Sequence, residues 1–549
     1  MRGPRPSHGS GGALNSVRLI AIAALVASVG VVESYGAPSA EVGSELRHFI
    51  GEGRLDDLRW PNFSVDRSTV NRFYEANDFS PAWVRSRKPT PQALVLVEAF
   101  EAAADKGLNP EDYDAGRWIS RLDRLTAGAT PSDIARFDLA LTVSALRFAN
   151  DLHFGRVNPK VFHFDFDFDA GDLDMAGWIR SQLVSASNAS ADVPAALSGI
   201  EPPFDGYRRA KRALAAYRRL SSEGEIEPLP NARRSVKPGD SYPDLTRLAI
   251  LLRRLGDLPD NAVTSEATYS GAVVEAVKHF QARHGLDSDG VLGSATLRAL
   301  NVPLVQRVRQ IELTLERWRW LPHGFARPPI VVNIPEFELR ALDESDRAAL
   351  EMKVVVGRAY RHRTPVFSAE MTYLIFRPYW DVPDSIAREE LLPKAAADPE
   401  YFVKNHYETV PTPSGGSRVR QAPGPDNALG GVKFLFPNEY NVYLHGTPAV
   451  ELFSKSRRDF SHGCIRVEKP EELAVWVLKN KPEWTRERIR EAMNSGQPLR
   501  VNLDTPIPVL IVYGTAVVAE DGDIRFFDDI YGYDAALAQT LAAGRREWM

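Results

Sequence analysis

A chain of 549 residues is too long for one hydrophobic core and is expected to divide into several domains. Its 44% apolar and 25% charged residues are ordinary for a globular protein, which excludes a disordered or fibrous chain. A net charge of −5 leaves no electrostatic footprint for nucleic acid, and no P-loop, zinc-ribbon or helicase pattern occurs.

In chain order, Arg2, Arg5 and Arg18 precede the apolar run Leu19–Val32, and the small residues of SYGAPSA follow. Charge, apolar run and small residues in that order read as a secretory signal over residues 1–40. The run falls short of the ~20 residues of a comfortable membrane span, so an uncleaved signal anchor is the alternative. The expected place of work is outside the cytoplasm, in the periplasm or cell envelope, with membrane contact through this segment alone.

Residues 41–235 read as a mainly helical scaffold domain. TPQALVLVEAFEAAADKG and PSDIARFDLALTVSALRFANDLHFG repeat apolar residues at three- and four-residue spacing. Pro91 and Pro131 suit helix starts, and Gly107 and Gly155 suit stops. The acidic repeat His163–Asp174 admits a cation site, but its strict alternation fits an extended segment with one apolar face equally well.

A polar linker, Arg233–Pro243, leads into a compact unit over residues 236–303. Leu245, Leu248, Leu252 and Leu255 share one helical face, as do Val273, Val277 and Phe280 on the next. Asp287 and Asp289 have the spacing of calcium ligands, yet Val291 and Arg298 stand where an EF-hand needs oxygen donors, so a tight turn is expected. The pattern in AVKHFQARHGLDSDGVLGSATLRALN resembles a peptidoglycan-binding domain of three helices. A connecting helix is expected over residues 304–327.

From residue 328 to 515 the texture is mainly β: short β-branched and aromatic runs such as PIVVNIPEFELRAL, EMKVVVGRAY and MTYLIFRPYWDVP. A helical stretch and a Pro/Gly-rich loop interrupt the strands over residues 385–429, long enough to suggest a lid. Residues 516–549 form a C-terminal segment. The fold class expected is thus multidomain α+β.

Cys464 is the only cysteine of the chain. In an oxidising compartment it has no intramolecular partner, and its neighbours must decide between an inert core thiol and a nucleophile. A nucleophilic thiol needs a base and donors for an oxyanion. His445 ends an apparent strand nineteen residues upstream, and His462 lies two residues before the thiol. His445 is the favoured base, because a fold must bring it back, whereas His462 is placed to serve its own loop. Gly446 and Gly463 would let backbone approach a substrate, and the amides of Gly463 and Cys464 could converge on one oxygen. Lys455, Arg457, Arg458 and Arg466 would lower the thiol pKa or attract a carboxylate. A solvated loop is the even alternative for the first three.

HGT at His445–Thr447 followed by SHGCIR at Ser461–Arg466 resembles the signature of L,D-transpeptidases with a YkuD-type catalytic domain. FYEANDFSPAWV, GLNPEDY, FGRVNP, YWDVPDSIAREELLPK, RQAPGPDNALGGVKFLFPN and DDIYGYD extend the resemblance to the large periplasmic members of that family. The resemblance implies Cys464 as the acylated nucleophile and His445 as general base, the latter oriented by a backbone carbonyl. It implies that His462 and Gly463 shape the oxyanion turn, that Tyr443 and Arg466 line the substrate site, and that Ser461 holds the loop. It further implies 3→3 cross-linking of peptidoglycan stem peptides, sensitivity to carbapenems, and no metal or organic cofactor. An L,D-carboxypeptidase using the same thioester is the near alternative, and a non-catalytic wall-binding scaffold the distant one. A general cysteine protease lacks its local signatures.

Overall fold

The computed structural model describes residues 38–166, 173–184, 192–230, 234–263, 268–412 and 415–544. The run read as an export signal and the middle of the acidic repeat, residues 167–172, lie outside them.

The N-terminal unit is helical, and its axis is the helix Pro131–Phe154. Thr130 caps it in a capping box with Asp133, Pro131 occupies the first turn, and Gly155 ends it at φ 81°. Helix Pro91–Glu101 starts the same way, with the Thr90 hydroxyl accepting from the Ala93 N–H at 3.2 Å. Such a cap is worth about 1 kcal/mol. The long helix is buried nearly all round, so its polar residues need internal partners. Asp138 accepts from the Tyr74 hydroxyl at 2.7 Å and from the amides of Ala82 and Trp83 at 3.0 and 2.7 Å. Burial still pushes its carboxyl up to about 6.

Three helices, Leu245–Arg254, Ala272–Arg283 and Ser294–Leu300, enclose a separate small core of Leu245, Leu248, Leu252, Val273, Val277 and Phe280, with Leu255 at its edge. The turn that mimics calcium-ligand spacing is held internally: Asp289 accepts from Gln281 at 3.0 Å and from the Val291 amide at 2.8 Å. Gly290 there has φ 71°, and a Cβ would meet Val274 at 2.9 Å. The following helix, Leu304–Trp318, lies against helix Asp205–Ser222. Its Glu316 reaches back to the amides of Arg156 and Val157, at 2.5 and 3.0 Å.

The C-terminal part is a nine-stranded sheet. Its strands are β1 (Ile330–Asn333), β2 (Glu338–Leu342), β3 (Ala348–Gly357), β4 (Phe367–Phe376), β8 (Val432–Leu435), β9 (Leu444–His445), β10 (Asp459–Ser461), β11 (Ile465–Val467) and β12 (Leu499–Val512). The order is β10-β3-β11-β9-β8-β4-β12-β1-β2, and a further β2–β3 pairing closes the sheet on itself. Closure leaves no free edge among the eight strands of the ring, and β10, paired with β3 alone, lies outside it. Phe164 and Phe166 of the acidic repeat enter this core, and Asp165 bridges to Phe367, so the described part of the repeat is extended with an apolar face inward. Among the described residues no cluster of three metal-ligating side chains occurs.

Between β4 and β8 stands the insertion. It has helical turns over residues 384–404 and a three-stranded sheet of β5 (Trp380–Asp381), β6 (Tyr407–Pro411) and β7 (Ser417–Gln421), in the order β5-β7-β6. The Pro/Gly-rich stretch expected as a loop thus carries a hairpin, with its own small core of Val382, Ala387, Leu391 and Val419. The C-terminal segment also packs into the structure. A hairpin of β13 (Ala516–Val518) and β14 (Ile524–Phe526) covers helices Asp205–Ser222 and Leu304–Trp318. Tyr531, Leu537 and Leu541 join the core of the β domain.

Candidate active site

Strand alternation builds the site. Val432 and Phe434 of β8, Leu444 of β9, and Ile465 and Val467 of β11 face the core. The residues between them face away: Lys433 pairs with His445 across the antiparallel β8–β9 register, and His445 pairs with Arg466 across the parallel β9–β11 register. Tyr443, two residues before His445, shares that face, with the two rings 5.6 Å apart. Cys464 ends the loop that enters β11, where the Ile465 amide donates to the Tyr443 carbonyl at 3.1 Å. The fold thereby brings Cys464, His445, Tyr443 and Arg466 together.

His445 is 4% exposed. Its Nδ1 lies 2.5 Å from the Gly446 carbonyl, which can only accept, so Nδ1 carries the proton and Nε2 keeps its lone pair. Burial, then the Arg466 charge, push its pKa down to about 3. The imidazole is neutral at physiological pH and free to accept a proton.

Burial pushes the Cys464 thiol up. The Tyr443 amide and hydroxyl, Lys433 and Arg466 act in the opposite direction, favouring the thiolate, but burial outweighs them. The Sγ lies 3.8 Å from the Asn441 carbonyl. Tyr443 is held protonated by burial and by the neighbouring sulfur.

The loop is fixed by short bonds. The Ser461 hydroxyl donates to the Cys464 carbonyl at 2.6 Å and accepts from the Gly463 amide at 3.1 Å. Gly463 has φ 114°, a left-handed conformation that favours glycine. Its carbonyl accepts from Thr364 at 2.8 Å, and Thr364 also accepts from the Gly357 amide at 2.9 Å. The Tyr531 hydroxyl completes this support by donating to the Gly357 carbonyl at 2.6 Å.

The Gly463 amide is committed to Ser461, so among the described residues the Cys464 amide is the one of the pair left to meet an oxyanion. Gly446 faces backbone rather than open space: a Cβ there would meet Gly430 Cα at 3.4 Å. In the basic run Arg458 is buried against the carbonyls of Val354, Phe337 and Lys455, whereas Lys455 and Arg457 are exposed, Arg457 pairing with Asp459 at 2.7 Å, which fits the solvated-loop alternative for those two. His462 turns to the insertion, with Nε2 2.7 Å from Glu390 and its ring 4.7 Å from His362.

Sequence reasoning missed Lys433, Glu390, Thr364 and Tyr531. For Lys433 a signal existed: the alternation of GVKFLF puts one lysine on the outer face of an otherwise apolar strand.

Residues 327–508 match the family model described as the L,D-transpeptidase catalytic domain. The β domain is an L,D-transpeptidase catalytic domain. Residues 241–300 match a "Putative peptidoglycan binding domain" and residues 68–214 a scaffold domain. Over 221 residues the chain is 37% identical to a "Putative L,D-transpeptidase" of Haemophilus influenzae, a match covering 37% of this chain and 44% of that protein. The chain therefore matches less than half of that relative's length. Two solved L,D-transpeptidase structures, from Xylanimonas cellulosilytica and Stackebrandtia nassauensis, align with 52% of this chain and with 100% and 97% of their own. Their identities are 16% and 13% and their TM-scores 0.16 and 0.23, too low to bear on the fold of the L,D-transpeptidase domain.

Proposed function

We propose that the protein is a peptidoglycan L,D-transpeptidase of the cell envelope, forming 3→3 cross-links through an acyl-enzyme on Cys464. The observation that carries this reading is the His445–Gly446 hydrogen bond, which leaves a neutral imidazole with its Nε2 lone pair on the face that holds the only thiol.

In the proposed reaction His445 Nε2 takes the thiol proton as Cys464 Sγ attacks the carbonyl carbon of the third residue of a tetrapeptide stem. The Cys464 amide meets the oxyanion. The bond to the terminal D-Ala breaks, and its nitrogen leaves with the proton from His445. The side-chain amine of a second stem then attacks the thioester, passes its proton to His445 and releases the thiol. Tyr443 and Arg466 line the donor site, while Ser461, Gly463 and His462 hold the loop. The peptidoglycan-binding domain would keep the enzyme on its polymer.

The insertion is read as a lid. Its Glu390 touches His462 of the cysteine loop, and closure there would keep water from the thioester until the amine arrives. That contact favours transfer over the carboxypeptidase alternative. Incubation with disaccharide-tetrapeptide, beside a Cys464→Ala control, tests the reading by mass spectrometry. A cross-linked dimer lacking one D-Ala, absent from the control, supports it. Tripeptide alone would make the protein a carboxypeptidase, and no product with unmodified thiol would leave a wall-binding scaffold.

A further inference from the structure

The thiol and the imidazole leave one charge on their face unexplained. Lys433 stands opposite His445 in the β8–β9 register, and its Nζ lies 3.7 Å from the centroid of the Tyr443 ring. Val432 and Phe434 on either side are buried in the core, so the lysine cannot turn away without leaving its strand position. Among the described residues no carboxylate lies within ion-pair distance of this half-buried ammonium. A charge held in poor contact with water and without an acidic partner is costly unless an anion forms beside it.

We propose that Lys433 is a positioning residue for Cys464: its ammonium, seated on the Tyr443 ring, is the counterion against which the thiolate forms. The inference rests on Cys464 being the nucleophile. Arg466 divides the labour, because it stands opposite His445 and acts first, after burial, to keep the imidazole neutral. Lys433 precedes Arg466 among the charges favouring the thiolate, and a thiolate at Cys464 would in turn be the first charge favouring protonated Lys433 against burial. The other charged groups around this face are Asp381 of β5, which favours the charged lysine, Glu451, which favours charged Arg466, and Arg358, which opposes it. Across the loop stand His362, His462, Glu389 and Glu390, which act on one another.

Cys464 is the single cysteine, so alkylation in excess of a Cys464→Ala background, which accounts for reaction at amines, reports on this thiol. The rate of modification by iodoacetamide is followed by intact mass from pH 6 to 10 in the wild type, Lys433→Met, Lys433→Gln and Lys433→Arg. The midpoint is expected to rise by about one unit in Lys433→Met and Lys433→Gln, slowing alkylation about tenfold near neutral pH, and to stay close to wild type in Lys433→Arg. Coincident profiles for wild type and whichever of Lys433→Met and Lys433→Gln keeps the wild-type Tm overturn the proposal, even where cross-linking is lost. If the wild type makes no cross-link while the profiles shift as expected, it is the proposed function that fails, and the role of Lys433 stands.

Discussion

Glu390 of the insertion and His462 of the cysteine loop meet at 2.7 Å, a direct polar link between the two segments. Glu390 sits on a π-helical turn, Ala387–Leu391, which Pro393 follows just after. Such turns re-aim a side chain that a regular helix would place elsewhere. The Glu390 and His462 side chains are 38% and 22% exposed, so the pair is worth no more than ~1 kcal/mol. Glu390→Gln is therefore expected to lower the ratio of transfer to hydrolysis by no more than about fivefold, read from the dimer-to-tripeptide ratio. An unchanged ratio would detach the lid from the chemistry.

The resting pair is thiol and imidazole, not thiolate and imidazolium. Burial holds the thiol up, and His445 at about 3 stays neutral. Acylation by a carbapenem should accordingly rise with pH across 6 to 9, because only the small thiolate fraction, or proton transfer to His445, supplies the nucleophile. His445→Gln should slow it by ~10²–10⁴-fold. A flat pH profile followed by intact mass would mean a preformed ion pair.

Thr364 is expected to matter as much as residues that touch substrate. Thr364→Val strips the partners from the Gly357 amide and the Gly463 carbonyl, both of which it bonds in a buried position. Leaving such groups unpaired costs ~1–3 kcal/mol. Tm should fall by a corresponding few degrees and cross-linking should fall with it, as the cysteine loop loses its anchor. Thr364→Ser, which keeps the hydroxyl, should restore most of both.

The peptidoglycan-binding domain is docked, not tethered. Asp257 takes Arg283 in two bonds of 2.7 and 2.5 Å, Arg283 reaches the Ile524 carbonyl at 3.2 Å, and His279 bridges Asp257 to Asp523. Asp257→Ala would leave a buried guanidinium unpaired, at ~3–5 kcal/mol. Small-angle scattering should show an enlarged radius of gyration, while the alkylation rate of Cys464 stays at the wild-type value.

Much of this was legible in the sequence wherever a signal is local. Thr-Pro starts mark helices Pro91–Glu101 and Pro131–Phe154, Gly155 marks the end of the second while Gly107 closes the 3-10 turn Ala102–Lys106 that follows the first, and HGT with SHGCIR marks the strand end of His445 and the loop of Cys464. Long-range pairing was not legible. Nothing local says that Glu390 reaches His462, that Thr364 holds Gly463, or that Tyr531 from the C-terminal segment braces the same turn. The hydrogen bonding of the cysteine loop was not legible for a related reason. Two adjacent amides suggest two donors, but Ser461 takes one of them, and only the fold of the loop decides which.

The most direct test of Cys464 as an acylated nucleophile is intact mass spectrometry of the full chain mixed with tetrapeptide donor, then chased with an acceptor stem. The prediction is an adduct equal to the donor minus D-Ala, mapped to the peptide holding Cys464 and discharged by the acceptor with formation of the cross-link. Cross-linked product without that adduct, or from Cys464→Ala, would contradict it.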